Sequence, residues 1–137
     1  MKPCIEPNCE TCPFVPQTKQ FWGPFNNVEV KINGPVNCNS SNVVYCLQCN
    51  KGNCRQIYVG HTQRQLKERF GEHKSSVKNK MKNAIGDHFN GPGHSLFDMK
   101  ILALEKVYKP GLLIIEKRES FWINRLEAEF KGLNRQK

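Results

Sequence analysis

Two short runs of β-forming residues, Val43-Val44-Tyr45-Cys46-Leu47 and Gln56-Ile57-Tyr58-Val59, stand close enough in the chain to pair with each other. Both are rich in β-branched and aromatic residues, and Asn50-Lys51-Gly52-Asn53 between them supplies turn chemistry. Residues 43–60 therefore read as a β-hairpin, with Gly60 ending the second strand where the backbone must turn closely. A plain hairpin needs only a turn at its tip, yet Cys49 and Cys54 flank this one. Any fold for the chain has to accommodate a tyrosine on each strand and two thiols at the tip.

Downstream, Thr62 is placed to cap a helix over 64–78. Leu66, Phe70, His73 and Val77 recur along one face of it, and Arg69, one turn before His73, borders that face. A shorter helix over 81–89 is broken by Asn90-Gly91-Pro92-Gly93. Residues 97–107 alternate as a strand, with Phe97, Met99, Ile101 and Ala103 on one side and Leu102 and Leu104 on the other. Pro110 then opens a helix over 111–127 whose core stripe is Ile115, Trp122 and Leu126.

Ahead of the hairpin, residues 1–42 are rich in Pro, Asn, Cys and Gly, with one alternating run, Val28-Glu29-Val30-Lys31-Ile32. Such a segment buries too little apolar surface to fold unaided, so a metal is its natural staple. The expected organisation is a cysteine-rich, zinc-stabilised extension over 1–42 packed on a domain over 43–137.

The chain has seven cysteines, and Met1-Lys2-Pro3-Cys4-Ile5-Glu6 has no apolar core of a secretory signal. An odd count without export points to metal binding in a reducing, intracellular setting rather than to a disulfide framework. Cys4, Cys9 and Cys12 need a fourth ligand, and Cys38 is the best placed to complete a Cys₄ zinc site. Free thiols or a disulfide are the alternatives. Cys49 and Cys54 form a second spaced pair, His88 and His94 a third, and Cys46 reads as a buried strand residue.

The net charge is +9, and the charges of residues 1–42 cancel. All the excess lies in 43–137. Seven basic residues fall between Arg64 and Lys82 against two acids, Glu68 and Glu72. This basic face suits a polyanion, most commonly nucleic acid, although it also reads as a solvated helix face. Arg64, Lys67, Lys74 and Lys78, with Arg118, are the candidate contacts to a DNA backbone. No apolar run approaches the roughly 20 residues needed to cross a bilayer, so no membrane association is expected.

Glu119 breaks the apolar pattern of its helix. An acid on such a stripe is a boundary position, half of a buried ion pair with a group such as Arg69, or a metal ligand. Tyr45 and Tyr58 read as ordinary strand aromatics or as phenols that orient or deprotonate an attacking water. Arg69 can neutralise a phosphate with a planar fork of donors, and His73 can relay a proton or bond a tyrosine hydroxyl.

The order Val43-Val44-Tyr45, Tyr58-Val59-Gly60, Arg69, His73, Glu119, Asn134 resembles the GIY-YIG endonuclease superfamily over about residues 42–136. Arg118-Glu119-Ser120-Phe121-Trp122-Ile123 looks like that family's metal-ligand helix, and Gly132-Leu133-Asn134 like its closing segment. Within the superfamily the chain is most similar to the nuclease domain of Penelope-like retroelements. Asn42-Val43-Val44-Tyr45, Tyr58-Val59-Gly60-His61-Thr62, Arg69-Phe70-Gly71-Glu72-His73, His88-Phe89-Asn90 and Gly93-His94-Ser95 carry that likeness. Val43 stands where the family name has glycine and Val59 where it has isoleucine. Both are backbone or core positions, and every polar position of the site is intact.

The resemblance implies an α+β fold, a three-stranded antiparallel sheet flanked by helices. It implies phosphodiester hydrolysis in DNA with one Mg²⁺ or Mn²⁺ on Glu119. Tyr45 would be the general base or water-orienting group, Tyr58, Arg69 and His73 would assist, and Asn134 would brace the site. It also implies a structural zinc on Cys49, Cys54, His88 and His94, and a cysteine cluster just ahead of the nuclease motif, for one or two zinc ions in all. Nicking to prime reverse transcription, a nuclear location and a reverse transcriptase domain of the same polyprotein as partner follow from the likeness alone. The end at Arg135-Gln136-Lys137 is read as a cut from such a polyprotein. Oligomeric state and target preference have no signature. Two other readings remain open, a non-catalytic zinc-stabilised nucleic-acid-binding module and a cysteine-rich protein-interaction domain.

Overall fold

The chain builds two sheets. A small hairpin, β1 (Gln20–Trp22) and β2 (Glu29–Lys31), precedes a three-stranded antiparallel sheet of β3 (Val43–Cys49), β4 (Ile57–Thr62) and β5 (Met99–Lys106), in the order β4-β3-β5. Helix α1 (Leu66–Lys78) and helix α2 (Ala84–Phe89) lie between β4 and β5, and α3 (Leu112–Arg125) follows β5. This α+β arrangement is seen in a computed structural model that describes residues 1–109 and 111–134. The expected roles of Pro110 and of residues 135–137 lie outside the described residues.

Strand β3 is central, and all but one of its residues are buried. Its register sets Tyr45 opposite Gly60 on one side and Ala103 on the other, with a bulge against β5 at Val44/Tyr45. Small partners on both flanks leave room for the phenol. A Cβ at Gly60 would stand 2.5 Å from the Tyr45 hydroxyl oxygen. Gly60 therefore does not end β4, which runs on to Thr62. It is glycine because a side chain from the neighbouring strand lies against it.

Several element ends differ from the sequence expectation. Helix α1 begins at Leu66, capped by Gln65 in a reciprocal box with Glu68. Thr62 closes β4 instead and accepts from the Arg64 N–H at 3.0 Å. Two further N–H groups at the start of α1, those of Leu66 and Lys67, donate to the carbonyls of Ser40 and Cys38 at 2.8 and 2.9 Å. Helix α2 starts only at Ala84, where Asn83 Oδ1 accepts from the Gly86 N–H. Residues Leu96–Asp98 form a 3₁₀ turn rather than strand, because Ser95 and Asp98 cap each other. Phe97 is therefore exposed, stacked on Phe14 with ring centroids 6.4 Å apart. In α3 only Ile115 is fully buried, Trp122 is half-buried, and Leu126 is buried just past the last turn.

Both edges of the main sheet are closed by an asparagine side chain. On β4, Asn134 accepts from the Val59 N–H and donates to the Val59 carbonyl, each at 2.8 Å. On β5, Asn33 does the same to Lys106, at 2.7 and 2.9 Å. The segment before β3 is bonded to the sheet, to α1 through Cys38 and Ser40, and to the end of α3 through Asn26. Met1, Phe14, Phe21, Val30 and Val36 join the buried cluster that includes β3 and β5.

Gly60→Ala is expected to destabilise the fold by about 1–3 kcal/mol, the usual cost of forcing atoms into a filled space. Urea unfolding of the two proteins measures it.

Candidate active site and metal centres

The Tyr45 side chain is fully buried, and its hydroxyl joins two helical residues. The oxygen lies 2.6 Å from His73 Nε2 and accepts from Arg69 Nε at 3.1 Å. Burial draws His73 down from the ordinary histidine range to about 3, helped by the Arg69 charge. The ring is therefore neutral near pH 7, and since Arg69 can only donate to the phenol oxygen, His73 Nε2 is the acceptor left for the buried Tyr45 O–H. Burial also pushes the Tyr45 phenol well above its ordinary range, against the pull of Arg69. Arg69 is held from its other end by Glu72, which accepts from Arg69 at 2.7 Å and from Arg64 at 2.6 Å. These two arginines keep the Glu72 carboxyl below its usual range.

Tyr58 packs edge-on against the His73 ring at 5.8 Å between centroids. With Arg69, Glu72 and His73 it lines an open cavity of about 170 Å³. Tyr45 does not reach this cavity. The expectation that Tyr45 contacts the attacking water meets a sealed hydroxyl with both neighbours already engaged. Tyr58 is the phenol on the solvent side.

Glu119 reaches β4, an edge strand, from α3. Alternation along β4 puts Tyr58 and Gly60 on the α1 side and Val59 and His61 on the α3 side. Glu119 Oε2 lies 3.0 Å from His61 Nδ1, and both side chains are 23% exposed. The expected ion-pair partner, Arg69, is engaged by Glu72 and Tyr45 instead, and Glu119 is a boundary residue rather than a core one. Burial raises the Tyr58 phenol, as it does that of Tyr45, against the pull of Arg69, and the Glu119 charge adds a lesser push to each. Asn134 holds Val59, the residue between Tyr58 and Gly60.

The expected basic face is largely paired. Lys74 is buried beside Glu10, with its ammonium 5.6 Å from the Phe14 ring centre and 5.7 Å from that of Phe70. This removes it from the exposed contacts read from the sequence. Lys67 lies 3.8 Å from Glu6, and Arg64 pairs with Glu72. Arg118 donates to Glu105 at 2.8 Å, an oxygen shared with the Trp122 indole N–H. Lys78 is exposed at the end of α1.

Two cysteine-containing sets come together as the sequence suggested. Within Cys4, Cys9, Cys12 and Cys38, and within Cys49, Cys54, His88 and His94, the ligand atoms lie within 4.8 Å of one another. The Cys4–Cys12 and Cys12–Cys38 sulfur separations are 3.5 and 3.7 Å. A tetrahedral zinc with Zn–S of about 2.3 Å sets its sulfurs roughly 3.8 Å apart, so the first set fits. All seven cysteines are free thiols. Burial acts to raise the Cys9 thiol, but the Thr11 backbone N–H and the neighbouring thiols bring it down to about 7.

In the second set, Cys54 Sγ is 3.6 Å from His88 Nε2. His94 donates from Nδ1 to the Pro92 carbonyl at 3.0 Å, which fixes the tautomer. Its Nε2 is left buried and without a partner, a lone pair held for a metal. Cys46, by contrast, lies fully buried in β3 and joins neither set.

Sequence reasoning missed three contributors. His61 follows Ile57 and Val59 on the apolar phase of β4, and an imidazole on that phase was the available signal. Glu72 was counted only as charge, although it sits three residues after Arg69. Asn33 had no signal, since its role depends on a strand edge far along the chain.

Residues 41–134 match the GIY-YIG catalytic domain family. No match was found among curated proteins or among solved structures.

Cys4→Ser and Cys49→Ser are each expected to lose one equivalent of zinc, measured by elemental analysis of the purified proteins. Unchanged zinc in either would remove that site. His73 binds its proton less well folded than unfolded, so the stability it confers is full above the ordinary histidine range. That stability falls as the pH drops towards 3. Unfolding measured from pH 7 to 4 should therefore show a shallower loss in His73→Gln than in the wild type.

Proposed function

The chain belongs to the GIY-YIG catalytic domain family, a nuclease family, and on that footing we propose that it is a divalent-metal-dependent DNA endonuclease. The observation that carries the reading is the bonded set Tyr45, His73, Arg69 and Glu72, which brings Arg69, Glu72 and His73 together with Tyr58 around one open cavity. A divalent ion on Glu119 would polarise the scissile phosphate and offset charge on the leaving oxygen. Tyr58 meets the attacking water at the cavity. Arg69, held rigid by Glu72, presents its remaining donors to the phosphate. Tyr45 and His73 fix the Arg69 head from behind. Asn134 keeps β4 straight between Tyr58 and His61.

DNA is then the substrate, gripped through phosphates. Arg64 and Lys67 sit in exposed pairs with acids, which are worth little in water and are readily exchanged for a phosphate. Lys78 and Arg118 extend the contact. Zinc on the two cysteine-containing sets is structural, leaving Mg²⁺ or Mn²⁺ for the chemistry. The extension over 1–42 acts as a zinc-held brace on the nuclease domain over 43–137.

The motifs around Tyr45, Tyr58, Arg69 and the two histidines support a finer reading. We propose a nuclease of the Penelope-like retroelement kind, which nicks nuclear target DNA so that a reverse transcriptase domain of the same polyprotein can prime from the 3′-hydroxyl. The test is relaxation of supercoiled plasmid with Mg²⁺ or Mn²⁺. Wild type should nick, and Glu119→Gln and Tyr58→Phe should each be slower by about 10²–10⁴-fold. Wild-type protein that binds plasmid but leaves it supercoiled would instead make the chain a binding module.

A further inference from the structure

We propose that His61 is a second protein ligand of the catalytic ion, so that one imidazole and one carboxylate hold it together. This rests on the reading of Glu119 given above, and it adds a residue that neither the sequence motifs nor that reading assigns to metal.

The geometry is that of two ligands, not of a hydrogen-bonded pair. His61 Nδ1 and Glu119 Oε2 are 3.0 Å apart, yet Nδ1 has no aligned hydrogen-bond partner and is buried. A ring nitrogen and a carboxylate oxygen left this close without an aligned hydrogen bond gain from a cation between them. Octahedral ions hold their ligands at about 2.0–2.1 Å, which sets neighbouring ligands about 3.0 Å apart. Among the described residues, Glu119 has no lysine or arginine within ion-pair distance, so nothing competes for the position. Both side chains keep 23% of their surface exposed, which leaves the remaining positions open to water and phosphate oxygens.

The backbone favours the pair as well. His61 lies on a strand, opposite Val44 of the central strand, and Glu119 lies on a helix packed against it. Neither ligand depends on a loop. A nitrogen donor also changes which ion the site prefers. Carboxylate and water alone suit Mg²⁺, whereas imidazole raises affinity for Mn²⁺ and later first-row ions.

The test is pulsed electron paramagnetic resonance of Mn²⁺ added to the zinc-loaded protein. Zinc is diamagnetic, so His88 and His94 on zinc stay silent. The wild type should show a directly bonded nitrogen coupling to Mn²⁺ that changes on ¹⁵N-histidine labelling and vanishes in His61→Ala. His61→Ala should weaken Mn²⁺ binding by at least about tenfold, the loss expected even for an outer partner of a ligand, and Mg²⁺ binding by less. Mn²⁺ that binds, is lost in Glu119→Gln and shows no nitrogen coupling would overturn the inference and leave the nuclease reading standing. Mn²⁺ binding unchanged in Glu119→Gln would overturn both. The wild-type spectrum decides even where a variant folds poorly, and zinc content with thermal melting identifies such a variant.

Discussion

A phenol sealed from water must place its proton and satisfy its oxygen inside the protein, and Tyr45 does so through one helix. Its hydroxyl gives to His73 and accepts from Arg69. Both bonds cross from the central strand to α1, so the helix cannot rotate or slide without leaving a buried polar group unmet. The same constraint explains Gly60 and Ala103 beside Tyr45, since a larger neighbour on either flank would displace the ring. Arg69 then inherits a fixed position, and Glu72 completes it. The order of the site on the α1 side follows from one buried oxygen.

The rest of the molecule supplies stiffness that a short chain finds hard to obtain from apolar burial alone. Two ligand tetrads brace the chain: one includes Cys38, whose carbonyl meets the first turn of α1, and the other ties the hairpin tip to α2. The two asparagine clamps finish the sheet laterally. Edge strands normally offer a row of free backbone groups to any passing strand. Here the backbone groups of Val59 and Lys106 are already satisfied, which shortens the free edge on each side.

Much of this was legible from residue order. The hairpin, the α1 face and the tetrad of Cys4, Cys9, Cys12 and Cys38 follow from local periodicity or from spacing that only a metal makes useful, whereas the joining of Cys49 and Cys54 with His88 and His94 came from family likeness. The three-stranded sheet followed from family likeness rather than from any pattern in the strands. What stayed hidden depends on partners distant in sequence. Lys74 looked like a free cation until Glu10, Phe14 and Phe70 closed around it. Thr62 looked like a cap, but the carbonyls of Cys38 and Ser40 were already there. Tyr45 and Tyr58 read alike from local pattern, and family likeness gave the attacking water to Tyr45, but the depth of β3 against the edge position of β4 leaves Tyr58, not Tyr45, at the open cavity. Glu119 was visible as an anomaly, yet its neighbour His61 became apparent only once α3 was laid against β4.

The bond from the Lys67 N–H to the Cys38 carbonyl carries a practical consequence. A cysteine of the N-terminal tetrad is covalently continuous with the acceptor that seats the first turn of the helix bearing Arg69 and His73. If the tetrad holds the proposed zinc, stripping it would loosen this seat and disturb Arg69, the arginine proposed to meet the phosphate. On the proposed reading, a strong chelator would reach the reaction by two routes, one through an ion on Glu119 and one through a scaffold ion away from the substrate. Inhibition reversed by Mg²⁺ alone reports the first route, and inhibition that needs zinc as well reports the second.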